Sequence, residues 1–315
     1  MKFITIPKNG SSWQKPLCYS FSTESTTARD VVVEVVDRLS GDVIGKRRLY
    51  NVIEAEIDIA PYVRNAISYL PNLGVRLSIS SLAKCIAVRI DGITSETRVF
   101  YYAEFDDSSS HLLTSEPLST TILQGDIIAL TVFAPHEVKV RVVDKRNVSG
   151  VATISAIQSN GMPVNVAIPT ASYGRGQVPI TVEIYCDTAL LRSIDYTLVS
   201  TESTDSHRVV WYNDNGGIES YNFAAAVREQ YEVKVVDAVD GCLPRVTAAK
   251  ERCRMVSFYE IGEQMERIIR MIFSPVVYGC KETVCEPLRF VGRRVDFDDH
   301  GALRRLIVNV EKSLV

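Results

Sequence analysis

The sequence predicts a mainly β protein: tandem immunoglobulin-like β-sandwich domains followed by a C-terminal α+β domain with one amphipathic helix. Three observations carry this. Short β-branched segments separated by turn residues recur through the first two thirds of the chain. One strand-and-turn pattern returns 107 residues later. Apolar spacing of a sustained helix occurs once, near the C-terminus. The expected organisation is an N-terminal arm at 1–20, a first sandwich at 21–107, a second at 120–200 and the α+β domain at 206–315.

In the arm, Phe3, Ile4 and Ile6 suit a short strand, and Asn9-Gly10-Ser11-Ser12 suits a turn. Phe3, Ile4 and Trp13 could serve assembly with a neighbouring chain or pack on the first sandwich; the sequence leaves both open. Strands follow at Asp30 to Asp37, Val43 to Tyr50 and Ala55 to Ile59. Pro61 suits the first position of a helix over Tyr62 to Leu70, which Pro71 ends. Further strands are expected at Val75–Ser80, Lys84–Ile90 and Thr97–Phe105. The serine-rich residues 106–120 read as a linker or exposed loop.

His136 to Lys145 lines up with Arg29 to Arg38, each followed by a turn. Both blocks then reach a proline step, Ile59-Ala60-Pro61 and Ile168-Pro169, so duplication of a sandwich of ~100 residues is the preferred reading. Tyr173-Gly174-Arg175-Gly176 reads as a turn, with strands at Val178–Cys186 and Leu190–Leu198. Thr201 to Ser206 is a second polar junction.

Beyond it lies the stretch around which the chain is organised, Arg208 to Phe223. Val209 to Trp211 read as a buried strand, and Asn213 to Gly217 as a tight turn in which glycine supplies positive φ. Ile218, Tyr221 and Phe223 begin the return strand, Tyr221 and Phe223 on one face. Strands are then expected near Tyr231–Val236, Pro244–Ala249 and Arg252–Ser257. The helix spans Tyr259 to Phe273, with Ile261, Met265, Ile268 and Ile272 on one face. Glu260, Glu263 and Glu266 sit early and Arg267 and Arg270 late, which complements the helix dipole. Strands at Val276–Tyr278, Pro287–Val291, Arg293–Phe297 and Leu306–Val310 complete the domain.

Composition limits function. The chain has 315 residues, 46% hydrophobic and 23% charged, with net charge −3. That balance argues against a nucleic-acid-coating protein, and the C-terminal arginines (Arg289, Arg293, Arg294, Arg304, Arg305) read as solvated strand faces. Seven cysteines in no framework predict reduced thiols and maturation in a reducing cytoplasm. No apolar run approaches the ~20 residues of a membrane span, and no signal peptide is expected. The four histidines lack partners at metal spacing, and no nucleotide, zinc-protease or serine-hydrolase motif is present. Asp296, Asp298, Asp299 and His300 read as a solvated turn rather than a cation site. No catalytic residue, cofactor or metal is therefore expected. An exposed row of Trp211, Tyr212 and Tyr221 would suit a sugar platform; burial in a hairpin is the preferred reading.

The motif Trp211-x-Asn213-x-x-Gly216-Gly217-x-x-x-Tyr221-x-Phe223 resembles one in structural proteins of bacteriophage and prophage tail or baseplate modules. The helix ending at Ser274-Pro275, the strand at Pro287-Leu288-Arg289 and the step from Ile57 to Arg64 agree in order. The resemblance implies a non-enzymatic virion structural protein, assembled in the bacterial host cytoplasm as a ring or other homo-oligomer with other virion proteins. Gly217 and the polar Glu219 depart from the pattern and put the hairpin tip in doubt. Rival readings are a carbohydrate-binding adhesion module and a glycoside-acting enzyme; the second requires two carboxylates facing across a cleft.

Overall fold

The structure is a computed structural model that describes residues 1–105, 109–146, 153–173, 176–200, 207–236 and 245–313. The first ten strands are β1 (Lys2–Thr5), β2 (Ser11–Ser12), β3 (Cys18–Ser22), β4 (Arg29–Asp37), β5 (Val43–Val52), β6 (Glu54–Asp58), β7 (Leu77–Ile79), β8 (Lys84–Ile90), β9 (Ile93–Thr94) and β10 (Arg98–Tyr101). They build a sandwich of one layer ordered β1-β3-β6 and another ordered β2-β10-β8-β4-β5, with β9 beside β8. Alternation sets the inner faces: Val31, Val33 and Val35 of β4 are buried while Glu34 between them is not.

The second sandwich uses β11 (His111–Leu112), β12 (Ser119–Leu123), β13 (Ile127–Phe133), β14 (Glu137–Asp144), β15 (Thr153–Gln158), β16 (Val164–Pro169), β17 (Val178–Cys186) and β18 (Ala189–Val199). Its layers are β11-β13-β16-β7 and β12-β18-β17-β14-β15. Eight strands of the first sandwich match it in order, β1 to β6, β8 and β10 with β11 to β16, β17 and β18, while β7 and β9 have no counterpart. β2 runs parallel to β10 as β12 does to β18, and β4 and β14 occupy the same place. Asp37 pairs with Ile86 as Asp144 pairs with Ile180. The proline steps fall at equivalent points too, after β6 and at the end of β16. The duplication expected from the 107-residue offset is thus a duplication of topology.

The C-terminal domain is a seven-stranded antiparallel sheet. Its strands are β19 (Arg208–Tyr212), β20 (Ile218–Asn222), β21 (Ala225–Val236), β22 (Arg245–Val256), β23 (Val277–Lys281), β24 (Val284–His300) and β25 (Leu303–Ser313). They lie in the order β20-β19-β23-β24-β25-β22-β21. Helix α2 (Gly262–Ile269), continued by a tighter turn over Arg270–Phe273, packs against β25.

Several expectations change. The arm is no arm. β1 pairs with β3, and Trp13 lies buried in the first core with its indole N–H donating to Leu82 O at 2.8 Å. Phe3 meets Tyr19 edge-on, and only Ile4, 54% exposed, faces outward. The first helix, α1 (Ala60–Asn65), stops short of Leu70, an exposed residue that the following Pro71 biases away from helical geometry.

The strand expected at Val75–Ser80 is β7, and it belongs to the second sandwich, pairing with β16 at Val164↔Ile79. The second helix begins after Tyr259 and Glu260, because Glu260 exchanges backbone hydrogen bonds with Arg304 (2.7 and 2.9 Å). Its buried residues are Met265, Ile268 and Met271. The steps of three suit the tighter final turn and leave Ile261 exposed. Pro287–Val291 and Arg293–Phe297 fuse into β24 across an irregularity near Gly292, whose φ is +71°.

Cys280 and Cys285 face each other across β23 and β24 and form a disulfide, contrary to the expected thiols. The adjacent strands place the two Cα atoms 4.2 Å apart, within bonding reach. Cys18, Cys85, Cys186 and Cys253 are free. The polar junction at Thr201–Ser206 and the pair Gly174–Arg175 lie outside the described residues.

Candidate functional site

Strand β19 is buried on both faces, and its two faces serve different bodies. Val209 and Trp211 point into the C-terminal core with Met265, Ile268 and Leu306. Val210 and Tyr212 join the core of the first sandwich with Tyr101, Leu82 and Ile59. One strand thus carries two hydrophobic interfaces, which is why it reads as a continuous apolar run rather than an alternating one.

The turn that follows is closed by Asn213. Its backbone N–H donates to Gly217 O and its carbonyl accepts from Gly216 N, both at 2.9 Å. Its side-chain oxygen accepts from Asn215 N (3.0 Å) and Gly217 N (2.9 Å). Its amide donates to Leu113 O and Glu219 Oε1, each at 2.7 Å. The two glycines serve different needs. Gly216 has φ +75° and its carbonyl accepts from Tyr101 Oη at 2.6 Å. At Gly217 a Cβ would lie 2.3 Å from Leu113 O, so only glycine lets the backbones approach.

The connector that the sequence suggests is a loose linker is clamped here. Thr114 is buried; its hydroxyl donates to Ile218 O and accepts from Thr131 N, both at 2.8 Å. Ser115 N donates to Glu219 Oε1 at 2.6 Å. The Thr131 hydroxyl accepts from Ile218 N at 3.0 Å. Residues 106–108 of that connector lie outside the described ones.

Glu219, the departure from the resembled motif, is the pivot. It is 1% exposed, and its second oxygen accepts from Arg267 at 2.9 Å. Arg267 also reaches Glu116 at 3.1 Å and Ser220 O at 3.3 Å. Nearby, Arg208 donates to Asn222 (2.9 Å) and Ser220 (2.5 Å), 3.9 Å from the Asp126 carboxylate, which Asn222 also bonds.

Burial pushes the Glu116 carboxyl above its ordinary value, against the pull of Arg267. Burial likewise holds Arg208 below its ordinary value, against the pull of Asp126 and Glu116. For Arg267 burial also opposes charge, but Glu116 and Glu219 together outweigh it and raise the guanidinium. A buried ion network of this kind fixes relative orientation more surely than it adds net stability.

An open groove of about 1140 Å³ runs over this network. One wall is the connector and β12, and the other runs from Phe258 through α2 to Arg270. Trp211 is 0% exposed, Tyr212 2% and Tyr221 6%, so these rings form no surface platform. Tyr221 instead donates to Glu260 at 2.8 Å and packs edge-on to Phe223. Asp298 and Asp299 are held by Arg305 and Arg304 across the β24–β25 hairpin. Among the described residues no group of three or more potential ligands could hold a metal ion, and no helix is long and apolar enough to cross a membrane.

Of the residues singled out in the sequence, Trp211, Asn213, Gly216, Gly217, Tyr221 and Phe223 all lie at this junction. Phe3, Ile4 and Trp13 do not. Sequence reasoning misses Arg208, Arg267, Glu116, Asp126, Tyr101 and Thr131, whose partners lie far away in the chain.

No protein-family model matches the chain, and no curated protein does. Among solved structures, CBD12 from CALX1.2 is similar at 11% identity and TM-score 0.18, covering 54% of this chain and 74% of that one. The chicken interferon gamma receptor alpha chain is similar at 10% identity and TM-score 0.19, covering 62% and 98%. Overlaps this weak carry no argument. The mainly β, tandem-sandwich architecture rests on the sheets themselves.

Proposed function

We propose that this chain is a non-enzymatic virion structural protein, an oligomeric component of a bacteriophage tail, neck or baseplate, working with other copies and other virion proteins. The observation that carries the reading is the last strand of the C-terminal sheet. β21 is a 12-residue edge strand on which Val227, Tyr231 and Val233 are 55%, 57% and 53% exposed. A long edge with apolar side chains is a template for pairing with another chain. The junction supports the same reading, because it locks three bodies into one building block. The sequence motif supports it as well, since its residues make structural bonds.

The glycan-platform reading loses its motive with the burial of Trp211. Two carboxylates of the groove, Glu116 and Glu219, both hold Arg267 instead of facing each other across free space. Light scattering over a concentration series tests the proposal. A defined oligomer that a Tyr231→Lys, Val233→Lys variant loses supports it. A strict monomer throughout overturns the self-assembly at its centre.

A further inference from the structure

The groove also has an occupant that fits it. We propose that the basic edge strand β5 of one copy seats in the groove between β12 and α2 of the next copy, giving a head-to-tail contact; this rests on the self-assembly reading above.

Each side offers an open strand edge. β5 ends the large sheet of the first sandwich, and β12 ends that of the second along the groove wall. Two such edges can exchange backbone hydrogen bonds between chains.

The charges are complementary. β5 exposes Lys46, Arg47 and Arg48 in succession. Lys46 and Arg48 make surface pairs with Glu34 and Asp30, and among the described residues Arg47 has no ionic partner. The facing wall carries Glu260, Glu263 and Glu266. Glu263 and Glu266 are exposed, again without an ionic partner among the described residues. Arg192 and Arg270 also border the groove, while Arg208 and Arg267 are committed to its floor. The free carboxylates therefore lie along the α2 wall.

Apolar groups match as well. Val43 (45%) and Tyr50 (69%) stand out at the two ends of β5, and Phe258 (47%) and Ile261 (58%) stand out on the groove's lip. The donor and acceptor surfaces lie on different domains of one block, so the contact is heterologous and generates a ring or a filament.

Charges on an edge strand also serve simply to prevent pairing, and the two roles predict opposite results. The experiment is analytical ultracentrifugation of the full chain with three variants. Wild type is run first; a monomer at every concentration overturns self-assembly and this contact together. With a wild-type oligomer in hand, R47E/R48E and E263K/E266K are each expected to weaken association by at least about tenfold at low salt.

Mixing the two variants is expected to restore association into alternating assemblies larger than a dimer. One contact between them is the wild-type pair and the other is the charge-swapped pair. The combined R47E/R48E/E263K/E266K chain is expected to recover the wild-type oligomer. Unchanged association in both variants, or no recovery in the mixture and the combined chain, overturns this contact and leaves self-assembly through β21 standing. Circular dichroism of each variant separates lost association from lost folding.

Discussion

Asn213→Ala tests whether the hairpin tip holds the three bodies together. The Asn213 side chain makes four hydrogen bonds, two inside the turn, one to the connector and one to Glu219. At about 1 kcal/mol net for each bond, their loss costs about 4 kcal/mol. The orphaned Leu113 carbonyl adds to that figure to the extent that water cannot reach it, while the Glu219 oxygen keeps Ser115 N as a donor. Domains of this size have stabilities of roughly 5–15 kcal/mol, so the variant is expected to fold but with little margin.

The two tryptophans make the assay local. Trp13 lies in the first core and Trp211 in the C-terminal one. Urea unfolding followed by fluorescence, with and without a Trp13→Phe background, reads the bodies separately. The wild-type transitions are expected to coincide, and those of Asn213→Ala to separate, with the Trp211 transition moving first. Asn213→Asp keeps the two acceptor bonds but sets a second carboxylate beside Glu219, so it is expected to be no better than alanine at neutral pH and to recover on acidification. A loss below about 1 kcal/mol with coincident transitions would refute the clamp.

Gly217→Ala drives a methyl into the Leu113–Thr114 backbone and is expected to cost about 1–3 kcal/mol in the same titration. Arg267→Ala leaves Glu116 and Glu219 buried without their cation, a loss of about 3–5 kcal/mol by denaturant midpoint. Glu116 holds its proton more tightly folded than unfolded. Its contribution is therefore fully present below the ordinary glutamate value and is lost as pH rises through the raised one; Glu116→Gln is expected to remove that slope, seen as a flatter stability curve as pH rises above the ordinary glutamate value. The Cys280–Cys285 bond closes a short loop, so Cys280→Ser with Cys285→Ser is expected to lower stability by about 2 kcal/mol, and mass spectrometry under denaturing conditions checks that the parent is oxidised.

What could be read from the sequence was whatever alternation and turn chemistry encode locally. β4, β8, β14 and β17 announce themselves by β-branched alternation, and the Asn-Gly-Gly turn by its composition. The buried ion network could not be read this way. Arg267 meets Glu116 across 151 positions and Tyr101 meets Gly216 across 115, and neither pairing leaves a local trace. The connector misled for a related reason. Thr114, Ser115 and Glu116 look solvated because they are polar, yet Thr114 is buried, the Glu116 side chain is 10% exposed, and all three are held by distant polar partners. Glu219 offered the one usable signal, a charge between Ile218 and Tyr221 on a strand otherwise built for burial.

The two sandwiches are copies in topology, so the places where they differ show what the chain has added to the duplicated unit. β7 is the clearest. It has no counterpart in the second copy, and it leaves the first sandwich to lengthen the β11-β13-β16 layer of its neighbour. The end of β10 is the next. There Tyr101 receives the hairpin tip through Gly216, whereas β18 ends at Val199, which borders the open groove. Both differences act between bodies. β7 ties the first sandwich to the second, and Tyr101 ties it to the C-terminal domain. These two additions fix one arrangement of three bodies. A fixed arrangement is what an assembling subunit requires, because the angle between its donor strand and its acceptor groove decides whether copies close into a ring. Loosening the clamp at Asn213 should therefore alter the size or closure of the assembly before it abolishes contact between copies.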